Sequence, residues 1–216
     1  MKVIEPSAKV LYPNIQDPAA VMQIYKQIEA AGRTCYKSED RISEDSAKKF
    51  VSAMVKHRHE AMLEHASMSV RFVVDRGVSH ELVRHRLANF AQESQRYCAY
   101  NKDKFGGEVT FIRPFFFEVG SDEYNMWENA MSKAERTYLA YLQMNVPPEQ
   151  ARTVLPNSTK TEIVVAANMR EWRHIFKLRA AGEAGTPHPQ MRQVMIPLLK
   201  ECQQAMPELF GDIEIE

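Results

Sequence analysis

Arg84 to Arg96, reading RHRLANFAQESQR, gathers three arginines, one histidine, one serine and three side-chain amides into thirteen positions. A guanidinium offers a rigid fork of donors that matches phosphate two bonds at a time, and a Gln or Asn amide offers the donor and acceptor pair that a heterocycle edge requires. The inventory suits a reader of anions and amides. If the segment starts extended, Arg84 and Arg86 point to one side and His85 to the other, and Ser94 and Arg96 repeat the two-residue spacing. A solvated charged turn is the plain alternative, since charge runs are usually no more than that. Apolar Leu87, Phe90 and Tyr97 threaded between the charges weigh against it.

The rest of the chain must position these groups. At 216 residues it fits a single α/β domain spanning 1–216, large enough to bury most of its unfolded surface. Lysine plus arginine (28) balance aspartate plus glutamate (28), so any anion site is local rather than a product of net charge. Cys35, Cys98 and Cys202 are scattered without C-x-x-C spacing, which points to a reducing, cytoplasmic setting, or a host cytoplasm if a virus encodes the chain. Charge and proline interrupt the N-terminal MKVIEPSAKVLYP, so no signal peptide is expected, and no run has the length of a membrane span.

Asp17-Pro18 opens a helix over 19–31 that Gly32 should stop, and a second helix is expected from Ser46 to about His57. Met68, Val70, Phe72 and Val74 alternate with polar residues over 67–74, the period of a half-buried strand. A short helix over Ser79 to Arg84 leads into the arginine-rich segment. Val109 to Phe117, broken by Pro114, reads as an edge strand or extended loop. Ser121 caps a long helix whose stripe is Tyr124, Trp127, Met131, Ala134, Tyr138 and Tyr141, ending before Pro147 and Pro148. A short helix (148–155), a strand (162–167) and a helix (170–180) follow. The last helix, 189–206, carries an apolar stripe from Met191 to Met206 that suits subunit contacts, with Pro197 as a bend.

On the helix over 170–180, Trp172, Ile175, Phe176 and Arg179 fall on one face and Arg170, Arg173, His174 and Lys177 on the other. Arg179 thus shares an apolar stripe. Either it snorkels out, or it is held where a buried anion or a developing charge will sit.

Other constellations are weaker. His57, His59, Glu60, Glu64 and His65 invite a metal reading, but H-E-x-x-H needs histidine at Leu63 and its inverse needs one at Ala61, so no metal is expected. Ser94 lacks a G-x-S-x-G elbow, and Cys98 suits a small buried residue better than a nucleophile. Gly106-Gly107 stands alone, with neither a Walker loop nor a dinucleotide fingerprint, so side chains must hold any phosphate.

Arg84-His85-Arg86 followed by Gln92-Glu93-Ser94-Gln95-Arg96-Tyr97 resembles the signature of flavin-dependent thymidylate synthases, with further matches from about His57 to Arg192. The resemblance implies an α+β fold with a central mixed sheet flanked by helices, assembled as a homotetramer. It implies FAD contacts for His59, Arg84, His85, Arg86 and Gln92, joined by Asn168, Arg170 and His174. It implies dUMP contacts for Glu81, Arg84, Gln92, Ser94, Gln95 and Arg96, joined by Arg152 and by Arg179, the catalytic arginine that polarises the uracil. Ala61 and Asn89 depart from the residues common in that family, as does the run HPQMRQ.

The chemistry so implied is conversion of dUMP to dTMP, with methylenetetrahydrofolate as one-carbon donor and FAD, reduced by NADPH, as hydride source. If Arg170 and His174 touch flavin from one helix face and Arg179 touches dUMP from the other, sites shared between subunits resolve the conflict. Two rivals remain. One is another flavin- or nucleotide-dependent enzyme on the same scaffold. The other is a single-stranded nucleic-acid module using Arg84, Arg86, Arg96 and Lys102 on phosphates and Phe90, Tyr97 and Tyr100 on bases, against which the zero net charge speaks. Neither a nucleic-acid nor a membrane partner is expected.

Overall fold

The computed structural model describes residues 1–96 and 107–215; Tyr97, Cys98, Tyr100, Lys102 and Gly106, considered above, lie outside the described residues. The chain runs through strands β1 (Lys2–Ile4) and β2 (Ser7–Tyr12), helices α1 (Pro18–Tyr36) and α2 (Ser46–Lys56), and a 3-10 segment, Glu60–His65. Next come β3 (Ser67–Asp75), α3 (Arg76–Leu82), β4 (Asn89–Gln92), β5 (Thr110–Ile112), α4 (Asp122–Gln143) and α5 (Pro148–Ala151). A 3-10 turn (Arg152–Val154), β6 (Lys160–Asn168), α6 (Met169–Phe176), a π-helical turn (Lys177–Ala181), α7 (Pro189–Ala205) and α8 (Pro207–Phe210) complete it. Four strands form a sheet in the order β2-β3-β6-β4, while β1 and β5 pair in parallel with Lys2 opposite Thr110.

Two compact units divide the chain: Met1–Ser7, Phe72–Arg84 and Ala91–Ile163 form the first, and Ala8–Arg71, His85–Phe90 and Val164–Glu216 the second. In the first, Ser121 Oγ accepts from Tyr124 N at 3.2 Å and starts α4 where the sequence places it. Met131 and Tyr138 pack with Val109, Phe111 and Ala151 into a core, so the α4 stripe is interior. Buried Glu135 satisfies the Val109 N–H beside that core, at 2.9 Å.

In the second unit, Asp17 Oδ1 caps α1 by accepting from Ala19 N at 2.9 Å, with Pro18 in the first turn. The helix does not stop at Gly32 but continues to Tyr36, closing on Lys37 in the left-handed region. Gly32 is there for packing: a Cβ would lie 2.3 Å from the Phe50 ring of α2. The apolar stripe of α7, read above as subunit contacts, is core instead, with Met191, Val194, Met195, Leu198, Leu199, Cys202 and Met206 all buried. Exposed Pro197 sits within that continuous helix. No helix among the described residues is long and apolar enough to cross a membrane.

Candidate functional site

Asn168 ends β6 and caps α6, its Oδ1 accepting from Glu171 N at 2.8 Å. Met169 N donates to Ala66 O (2.9 Å) and Trp172 Nε1 to Met68 O (2.8 Å), which fix the helix on the entry to β3. Trp172 and Phe176 then pack in series against Phe210. Past Phe176 the helix widens into the π turn, closed by Gly182 at φ 81°.

That widening corrects a reading of the sequence. At 3.6 residues per turn, His174 and Arg179 would lie roughly 140° apart. A π turn advances fewer degrees per residue, and both reach His85: the two imidazoles stand edge to face with centroids 5.9 Å apart, and Arg179 Nε donates to His85 Nε2 at 3.1 Å. For His174 the opposition of faces therefore disappears, whereas Arg170 pairs with Glu64 and Glu60. Arg173 also leaves its assigned polar face. It is 2 % exposed, forks onto Asp212 with two bonds of 2.7 Å, and donates to the Leu209 carbonyl.

His85 is 5 % exposed and carries a definite tautomer. Arginine can only donate, so His85 Nε2 holds a lone pair and the proton sits on Nδ1, 3.5 Å from Glu171 Oε1. Burial, reinforced by the charges of Arg179 and His174, lowers its pKa from 6.5 to about 4. A neutral imidazole is the result. Burial raises the Glu171 carboxyl, with His174 pulling the other way.

The flanking arginines behave differently. Arg84 and Arg86 are exposed, on a chain that turns rather than extends: Ala88 N donates to His85 O at 3.0 Å and the strand begins only at Asn89. The expected alternation of exposure survives without the expected strand. Leu87, one of the apolar residues that weighed against a solvated turn, is 76 % exposed. His59 is exposed beyond α2, and Arg170 pairs with Glu64 and Glu60 of the 3-10 segment.

Within the first unit a second set forms. Asp75 Oδ1 caps α3 by accepting from Val78 N at 2.8 Å. Ser79, on that helix, accepts from Gln92 Nε2 at 2.9 Å, and Thr161 Oγ1 lies 3.2 Å from the same nitrogen. Glu93 N donates to Glu162 O at 2.8 Å, while Lys160 Nζ bridges the two carboxylates at 3.0 and 2.7 Å. Burial alone would lower the Lys160 pKa, but bonds to Glu162 and Glu93 outweigh it and raise it. Ser94 is half-buried and Gln95 buried, its Nε2 without a hydrogen bond among the described residues. Arg96 and Arg152 converge on Glu149: Arg96 Nε lies 3.8 Å from its carboxylate and Arg152 Nε 3.3 Å from its backbone oxygen. Glu81 is half-buried on α3.

Among the participants missed in the sequence are Glu149, Glu171, Ser79 and Thr161. Glu149 had a signal, three residues before Arg152, as had Glu171, three after Asn168 in capping-box spacing. The box is only half used, because the Glu171 carboxylate faces His85. Ser79 and Thr161 had no local signal, since a buried hydroxyl is legible only through its partner. A 510 Å³ groove lined by Lys48, Lys49, Ser52 and Lys56 of α2 with Glu208 holds none of these groups. Among the described residues no three His, Cys, Asp or Glu side chains cluster as metal ligands do.

Taken as a class, this is a mixed α and β protein whose units carry guanidinium, imidazole and amide groups. The family model described as thymidylate synthase complementing protein matches residues 20–208. Flavin-dependent thymidylate synthase of Geobacter sulfurreducens is 31 % identical over 209 residues, covering 94 % of this chain and 84 % of that protein. Those of Corynebacterium efficiens (33 %, covering 88 % and 79 %) and Pyrococcus abyssi (33 %, covering 76 % and 66 %) are also similar. The solved structure of a UMP/dUMP methylase, PolB from Streptomyces cacaoi, bound with 5-Br dUMP, superposes with a TM-score of 0.74 at 21 % identity over 98 % of this chain and 96 % of that one. This likeness shows the fold. The chain belongs to the thymidylate synthase complementing protein family, and these curated relatives are flavin-dependent thymidylate synthases.

Proposed function

We propose that this protein is a flavin-dependent thymidylate synthase, converting dUMP to dTMP with FAD as redox cofactor, methylenetetrahydrofolate as one-carbon donor and NADPH as reductant. Family membership supports the reaction class. The observation that carries the site is the bond from Arg179 Nε to neutral His85. It holds the guanidinium through the nitrogen nearest its stem and spends neither terminal Nη on the imidazole. Those Nη groups would bind the uracil carbonyl as negative charge develops there, a geometry fixed before the reaction.

The residues present fit FAD. Exposed Arg84 and Arg86 offer guanidinium forks for its diphosphate in a chain without a glycine-rich loop, and exposed His59 and His174 offer ring donors. Arg170 would exchange part of its pairing with Glu64 for the cofactor, and Asn168 would contribute the amide nitrogen that its capping bond leaves unused. Gln92 and His85 would complete the flavin contacts. When bound, reduced flavin supplies the hydride. For dUMP, Arg96 and Arg152 would bind the phosphate, with Ser94, Gln95, Gln92 and Glu81 around the sugar and base. No protein nucleophile is required.

The unit of function in this reading is the whole span 1–216, working as a homotetramer of about 100 kDa with sites shared between chains. Purified protein should be yellow, its flavin band should bleach anaerobically with NADPH, and it should release tritium from 5-tritiated dUMP when the folate is present. Colourless protein that releases no tritium after FAD is added refutes the proposal.

A further inference from the structure

Ser79 is fully buried and has one proton to give. It donates that proton to the Arg76 carbonyl at 2.9 Å, so toward Gln92 its oxygen can only accept. Gln92 meets it with Nε2, and the same nitrogen approaches Thr161 Oγ1, a hydroxyl that is itself 1 % exposed. Both amide hydrogens are thereby used. Turned over, the amide would set its carbonyl oxygen against a hydroxyl lone pair, so the network dictates its orientation. Gln92 is half-buried at the end of β4, and among the described residues its Oε1 accepts no hydrogen bond.

We infer that Ser79 and Thr161 are positioning residues that fix Gln92 with its carbonyl oxygen as the group offered to a ligand, making this position a reader of an imide N–H. The inference rests on the reading of the site as one for dUMP and FAD. Uracil carries an N–H between two carbonyls, and so does the isoalloxazine ring. Cytosine presents a lone pair at that ring nitrogen, and two acceptors would then face each other at the cost of an unmade hydrogen bond. Uracil nucleotides are thereby selected over cytosine nucleotides by a neutral amide at this position.

The test is calorimetric titration of flavin-loaded wild type, Ser79→Ala, Thr161→Val and Thr161→Ser with dUMP and dCMP. In parallel, the flavin-free proteins are titrated with FAD and its N3-methyl analogue. Wild type should bind dUMP at least about tenfold more tightly than dCMP, and Ser79→Ala should narrow the ratio to about threefold or less. Thr161→Val should narrow it partway and Thr161→Ser restore it, which loss of packing alone would not produce. If only the preference for FAD over its methylated form collapses, the imide being read is the flavin's. Both ratios unmoved in Ser79→Ala, with binding intact, overturn the inference and leave the enzyme assignment standing. Wild type that binds neither dUMP nor FAD overturns both.

Discussion

Arg173 and Arg179 stand close together on one helix and its terminal turn, yet each meets a different kind of acceptor. Arg173 is buried against a carboxylate, its charge cancelled by Asp212, and it ties α6 to the chain beyond α8. Arg179 is half-buried, and its Nε donates to an imidazole that burial keeps neutral. The first arrangement maximises attraction between opposite charges. The second orients the guanidinium from an uncharged ring, and in the proposed reaction that cation would answer a negative charge developing on the uracil. Chemical identity of the side chain therefore says little about its task, and the partner decides it.

The sharpest way to break this contrast is Arg179→Ala. Turnover should fall by at least about a hundredfold while flavin absorbance is retained; turnover near that of wild type would erase the distinction. Asp212→Asn tests the other arginine. It should lower unfolding free energy by about 1.5–3 kcal/mol, toward the lower end because Asp212 is partly exposed, with a much smaller change in turnover. The Arg173 bond holds the Asp212 carboxyl below its ordinary 3.8, against the opposing effect of burial. Its stabilisation is thus present above that value and lost as pH falls through the lower folded value.

The smallest effect sharpens the contrast from the imidazole side. An unfolded His85 takes a proton near pH 6.5 whereas the folded one resists until about 4, so stability falls as pH drops across that window and levels off below it. From pH 6.5 to 5.5 the change is at most about 1.4 kcal/mol. Urea midpoints that slope in wild type and flatten in His85→Asn would support the neutral state; parallel slopes would count against it.

Elements whose signals are local were legible: the Asp17 and Ser121 caps, the β3 alternation and the α4 stripe all rest on neighbours within a few residues. Strands β1, β2 and β4 escaped, being short segments defined by pairing partners far along the chain. The helix over 170–180 failed in a more instructive way. Its polar and apolar faces follow from a constant 100° step, and neither the π turn nor the burial of Arg173 on a distant aspartate leaves a trace in that periodicity. Of the candidate site, the residue types were readable around His85, but the acids and hydroxyls that orient them were not, because orientation is a property of contacts rather than of spacing.

The close approach at Gly32 makes two sites in the chain inseparable. The Phe50 ring occupies the room a methyl group would need, and it also lies beneath the Arg33 guanidinium, 4.8 Å from its centroid. Enlarging one residue is tolerable only if the other shrinks, and shrinking the ring alone opens a void and removes the surface on which the cation rests. Gly32→Ala and Phe50→Leu should therefore be strongly non-additive, the double variant being more stable than the sum of the two single losses allows.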